Sequence, residues 1–325
     1  MDADFPRLDE HLAGADLDGY LVDADGAALG LRAAEHGGSK AKARVVSAWL
    51  DDLDVAGVAT PDRFPLGPAD RLRERGLAVE PDADDVVTRI RARKRPEEQT
   101  HVREAQRANE AAMRAAEALL REAEVVDADA VATGDGNDAG EVLSHDGAVL
   151  TSERVKTEIE TTLLEHGYGL DETIVACGVD AADPHDRGSG SLRPDRPIIV
   201  DIFPRSKATG YHADMTRTFV VGDPDPTVRE WFEHTRDALE AALDAIEPGV
   251  TGAAVHDAAC DVYEGAGLPT LRSDPTTETG FIHSTGHGVG LDVHELPQIA
   301  PDGGELRPGH VVTVEPGLYD PAVGG

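Results

Sequence analysis

The chain has 325 residues, more than one ordinary module needs, and suits two domains of about 150 residues each. At 40% hydrophobic and 29% charged it carries enough apolar material for a core, which excludes wholesale disorder despite a net charge of −33. Acids number 63 against 30 bases, and a surface this negative repels both nucleic acid and anionic lipid as partners.

In chain order, residues 1–92 read as a small α/β domain. Asp18–Val22 and Val55–Ala59 are short strand signals, and the Ala-rich stretch 30–50, with its apolar tail at Val45, Val46 and Leu50, is a helix between them. The stretch Ala24–Lys42 has no assignable period. Good helix formers and acid–base pairs then predict a long helix over about 96–124. Asp127–Gly147, rich in Gly, Asp and Asn, reads as a solvated loop. Thr151 is an N-cap, Val155, Ile159 and Leu163 follow at helical spacing, and Gly167 and Gly169 end the helix. Ile198–Val200 and Thr218–Val221 are strand cores. Thr227 and Glu230 form a capping-box pattern, opening a helix with Val228, Phe232, Leu239, Leu243 and Ile246 on one side. A shorter helix runs to Gly265, and Val311–Val314 is a last strand. Long helix, short helix, loop and strands occur twice, offset by roughly 130 residues, so residues 93–325 are expected to form an internally pseudo-symmetric α+β domain with its site between the halves.

Two carboxylates follow apolar strand sequence. Asp201 stands between Ile198-Ile199-Val200 and Ile202, where an unpaired charge costs several kcal/mol. A hairpin turning near Lys207-Ala208 would set Asp214 opposite it, with Cβ atoms ~4.5–5.5 Å apart. Two such charges oppose folding unless a cation sits between them, and a pair of ions ~3.5–4 Å apart would resolve the conflict. The alternative pairs Asp214 with Arg217 and leaves Asp201 at a strand end. The Gly-rich run from His283 through His287 to His294 packs three histidines together, with glycines on both sides of His287. Glu315 then ends another apolar strand. Asp201, Asp214, His287 and Glu315 make an oxygen-rich donor set with one nitrogen, suited to Mn, Co, Fe or Zn acting on water.

No apolar run approaches the ~18 residues of a membrane span, and the acidic start argues against a Sec-type signal. With only Cys177 and Cys260 there is no disulfide framework, so a cytoplasmic protein is expected. Acids spread along the whole chain, with 25 Arg but only 5 Lys, resemble proteins of salt-accumulating halophilic archaea. In multimolar salt the Debye length shrinks to ~3 Å or less, and like charges are screened.

Asp201, the run Asp214-Met215-Thr216-Arg217-Thr218, the block Gly286–Pro297 and Glu315-Pro316-Gly317 resemble the pita-bread metallopeptidases, in the branch of Xaa-Pro aminopeptidases and prolidases. The resemblance covers about 95–325, and the N-terminal part is loosely similar to that branch's creatinase-type domain. It implies two divalent metal ions, Mn foremost, held by Asp201, Asp214, His287 and Glu315. It further implies that Glu315 orients or deprotonates the attacking water and that His294 contacts the substrate carbonyl. His185 and His283 would face the substrate, a peptide with proline after its N-terminal residue, and the protein would be a homodimer. Two departures stand out. Phe203 replaces the family's glycine two positions after the first ligand, and the chain ends at Gly325 before the strand that carries a fifth ligand, a bridging Glu. The expectation is therefore a chain truncated at its C-terminal end. The alternative is that another acid takes the fifth ligand's place. The expected function is a metal-dependent exopeptidase cleaving before proline, its alternatives a non-catalytic peptide- or protein-binding module of the same fold or an inactive truncated product.

Overall fold

The computed structural model describes Ser47, Leu50 and residues 54–61, 64–83, 85–131 and 140–325. The strand expected at Asp18–Val22, most of the helix at 30–50 and the stretch Ala24–Lys42 lie outside them. The chain divides into two units, Met1–Arg91 and Ala92–Gly325.

In the first unit, β1 (Gly57–Thr60) pairs in parallel with β2 (Ala78–Pro81), and α1 (Leu66–Arg73) is the crossover that a parallel pair requires. Leu50, Ala69, Leu72, Leu77 and Val79 bury their side chains together there. A further helix, α2 (Val86–Ala92), follows.

The second unit opens with α3 (Pro96–Glu122), close to the predicted span; Pro96 sits in its first turn, and Glu98 bonds back to the Arg95 amide. The expected loop at 127–147 is partly a sheet. Strands β3 (Glu124–Asp127), β4 (Glu141–His145) and β5 (Ala148–Val149) pair antiparallel. The signal was weak because only Val142 and Leu143 of β4 are apolar, though both are fully buried. Helix α4 (Ser152–Glu165) has the predicted cap, with Thr151 accepting from the Arg154 amide, and buries Val155, Ile159 and Leu163 completely. After the short β6 (Tyr168–Gly169) come β7 (Thr173–Cys177) and β8 (Ile198–Ile202). Between β8 and β10 (Met215–Phe219) the chain detours through β9 (Arg205–Ser206), which pairs with β6. Strand β8 is central, flanked antiparallel by β7 and β10. The core between α3, α4 and this sheet includes Met113, Leu120, Ile159, Leu163, Val175 and Val200.

Helix α5 (Pro226–Ala245) is capped by Asp225, whose side chain accepts from the Thr227 amide, and not by Thr227 itself. Its apolar stripe is also not the buried face: Phe232 is 60% and Leu243 51% exposed, while the small Ala238 and Ala242 are fully buried. Helix α6 (Gly252–Gly265) lies against α5 and buries Val255, Ala259, Cys260 and Tyr263 in a second core with Phe281 and Ile299. Strands β11 (Gly286–Gly288) and β12 (Glu295–Ile299) pair antiparallel beside it. Residues 311–315 run along β11 without forming a regular strand, joined by the Gly288–Val312 bridge and the Val289–Val311 and Thr313–His287 backbone bonds. Each helix pair, α3–α4 and α5–α6, thus has its own core.

Candidate metal centre

Asp201 is the fourth residue of β8, among Ile198, Ile199, Val200 and Ile202, all buried. Its partner across the β8–β10 ladder is Thr216, not Asp214, and the Thr216 hydroxyl donates to its Oδ1 at 2.8 Å. The hairpin expectation misses by two residues because β9 takes the chain away to pair with β6 and returns it through the Arg205–His212 bridge. Asp214 therefore sits just before β10, diagonal to Asp201 on the same face. Arg217 donates to the Thr216 carbonyl.

His287 occupies the middle of β11. A Cβ at Gly286 would run into the Thr313 carbonyl and one at Gly288 into that of Leu296, so glycines are required for β11 to lie this close to its two neighbours. The His287 amide donates to Thr313 Oγ1 at 3.0 Å, and the Glu315 amide donates to the Thr285 carbonyl at 2.8 Å. These bonds bring His287 and Glu315 side by side.

Nδ1 of His287 bonds the Gly288 carbonyl at 3.0 Å, which requires its proton there and turns Nε2 inward. That Nε2 lies 3.2 Å from Glu315 Oε1 and 3.6 Å from Asp214 Oδ2. One donor atom from each of Asp214, His287 and Glu315 falls within 4.8 Å of the others. Asp201, expected as a fourth ligand, is not in that group, but it interacts electrostatically with its members. Burial, then the Asp201 and Glu315 charges, push Asp214 well above the carboxylate range. Burial pushes Asp201 up to about 6, with the Thr216 bond opposing and Glu315 adding to the rise. Burial would raise Glu315 too, but the bond and charge of His287 bring it below its ordinary value. The crowded carboxyl groups raise one another, and a divalent cation held by Asp214, His287 and Glu315 would relieve that repulsion. The donor set fits a metal.

His294 packs its ring edge-on to His287, centroids 4.2 Å apart, and burial followed by the His287 charge holds its imidazole below the usual value. His283 gives its Nδ1 proton to the Ser284 carbonyl at 2.7 Å, while its Nε2 is buried with no hydrogen-bond partner. Its ring stands edge-on to Phe281 and Tyr319. His185 is 93% exposed on the loop after β7, near enough to influence both His283 and His294.

Residues 100–325 match the model of Metallopeptidase family M24. The chain belongs to that family. It is similar to the Probable dipeptidase PepE of Mycobacterium tuberculosis, 38% identical over 174 residues, covering 53% of this chain and 44% of that one. It is also similar to the Xaa-Pro dipeptidase of Pyrococcus furiosus, 37% identical over 155 residues, covering 47% and 42%. The chain spans about half the length of the curated relatives it matches. Among solved structures, the prolidase from Pyrococcus furiosus superposes with a TM-score of 0.66 at 25% identity, covering 86% of this chain and 73% of that one. The dipeptidase from Pyrococcus horikoshii superposes at 0.69 and 28%, covering 87% and 70%. The M24 fold is the pita-bread fold, and its enzymes use divalent metals.

Two hydroxyls that sequence reasoning passed over bond to the carboxylates of this candidate site: Thr216 on Asp201, and Thr313, whose Oγ1 donates to Glu315 Oε1 at 3.1 Å. Their signal is spacing. Thr216 stands two residues after Asp214 and Thr313 two before Glu315, which puts each on the ligand face of an extended segment.

Proposed function

We propose that this M24 chain is a metal-dependent exopeptidase that releases an N-terminal residue preceding proline or splits Xaa-Pro dipeptides. The observation that carries this is Nε2 of His287 turned toward Asp214 and Glu315, 3.6 Å and 3.2 Å away. Asp201, Asp214, His287 and Glu315 would hold a pair of divalent ions, Mn foremost, with Co, Zn or Fe as alternatives. Such ions supply Lewis acidity that brings a water's pKa toward ~7. Glu315, kept ionised by His287, is placed to accept a proton from the attacking water. The His294 imidazole, beside His287, donates to the oxygen of the scissile carbonyl as negative charge develops. His283 and His185 would line the substrate side, with His185 at the exposed mouth. Proline preference follows the Xaa-Pro dipeptidase relatives, and residues 1–92 would form a separate N-terminal domain. The acidic composition suits work in a high-salt cytoplasm, and the family resemblance suggests a homodimer.

The test is release of the N-terminal residue from an Ala-Pro peptide beside Ala-Ala, in multimolar KCl with Mn²⁺ and with chelator. Proline-selective release that chelator stops is expected. Equal cleavage of both peptides would remove the proline preference, and chelator-insensitive cleavage would remove the metal.

A further inference from the structure

A buried ion pair lies next to the histidine block. Lys94 Nζ meets Glu295 Oε2 at 2.7 Å, with the two side chains 1% and 5% exposed. Lys94 is one of only five lysines in the chain, and a buried charge pair contributes little stability over an apolar pair of the same volume. Its location is informative. The other carboxylate oxygen of Glu295 accepts the backbone N–H groups of Leu291, at 2.9 Å, and Asp292, at 3.1 Å. Glu295 thereby closes the loop 291–295 onto itself, and His294 is the residue before it.

Lys94 is itself held rigidly. Its amide donates to the Gly309 carbonyl at 2.7 Å, and its own carbonyl accepts from Gln99 Nε2 at 3.0 Å, just ahead of α3. A Cβ at Gly290 would strike both Glu295 Oε2 and Lys94 Cε, so a glycine is required for the backbone to close over the pair. The Gly290 carbonyl in turn accepts from the His212 amide at 2.7 Å.

We propose that Glu295 is a positioning residue: with its charge balanced by the Lys94 ammonium, its other carboxylate oxygen clamps the 291–295 loop, and the clamp sets the His294 imidazole against His287. This rests on the peptidase function proposed above. Loss of the clamp frees the loop to shift, and a displacement of ~1 Å at a reacting group can cost about 10²-fold in rate.

The test uses two double variants of the whole chain, so that neither leaves a lone buried charge. Lys94→Met with Glu295→Gln keeps an oxygen that can accept from the loop amides. Lys94→Met with Glu295→Leu fills the space without one. The Leu double should lose about 10²-fold in kcat on an Ala-Pro peptide, with KM within about threefold and Mn content unchanged. The Gln double should recover most of that loss. In parallel, ¹³C-histidine NMR of the metal-free chain should show the His294 ring signal, assigned with His294→Gln, shifted or broadened in the Leu double. The signals of His166 and His234, remote in the sequence, should stay in place. A Leu double within twofold of the parent in kcat would overturn the proposal, as would an unmoved His294 signal. If the parent cleaves no peptide, the peptidase proposal fails, while the ring signal still decides the positioning role.

Discussion

Nε2 of His287 lies 3.2 Å from Oε1 of Glu315, with the imidazole proton committed to Nδ1 on the other side of the ring. Two acceptors so placed need a proton or a cation between them, and Asp214 and Asp201 add further negative charge around the same point.

The metal-free centre should therefore be a source of instability. Asp214→Asn removes one of the crowded charges from a side chain only 6% exposed. In chelator at pH 8 the variant should be more stable than the parent by about 1–3 kcal/mol. With Mn²⁺ at 100 times its Kd, binding should stabilise the parent by ~2.7 kcal/mol and reverse the order. Thermal melts in both conditions check this; a variant less stable than the parent in both would contradict it.

His294 is expected to act on the reacting groups without holding metal. His294→Gln should lower kcat by about 10²–10³-fold, the range of a positioned acid–base group, with metal content unchanged. Parallel loss of rate and metal would make His294 a ligand instead.

His310 gives a pH dependence separate from the centre. Burial, then Lys94, Arg93 and Arg307, push its pKa down to about 4, and its Nδ1 accepts the Arg307 amide proton at 3.2 Å. Its folded pKa lies below the unfolded one, so the folded chain binds fewer protons. Its contribution is full above about pH 6.5 and is lost as the pH falls toward 4. The ring is partly exposed, and solvent screening reduces the effect to the order of 1 kcal/mol. Urea unfolding in chelator at pH 7 and pH 5 should show a smaller pH-dependent loss for His310→Gln than for the parent; equal losses would contradict it.

The net charge of −33 should make stability depend on salt. Raising KCl from 0.1 M toward 1 M shortens the Debye length from ~10 to ~3 Å, so the melting temperature should climb steeply. A melting temperature indifferent to KCl would remove the high-salt interpretation.

Much of the centre was legible because its chemistry conflicts with its surroundings. A carboxylate at Asp201 inside an isoleucine-rich strand demands a compensating charge or donor. Glycines on both sides of His287 forfeit side-chain packing, a loss offset where neighbouring backbone must come close, and the structure shows that approach. The β8–β10 register was not legible, since it depends on the β6–β9 pairing, a contact between distant segments that no local period encodes. The β4 strand escaped notice because its apolar content is two residues. On α5 the large apolar side chains suggested the wrong face, since close approach of α6 selects Ala238 and Ala242. Lys94 carried one faint signal, a lysine kept in a chain that otherwise favours arginine.

The most direct measurement is equilibrium dialysis of the chain against Mn²⁺ at pH 8 in high KCl, beside Asp214→Asn and His287→Gln. The parent should retain Mn²⁺, and each variant should lose at least one ion per chain. A parent that binds none, or variants that bind as the parent does, would contradict the assignment of Asp214, His287 and Glu315 to a metal centre.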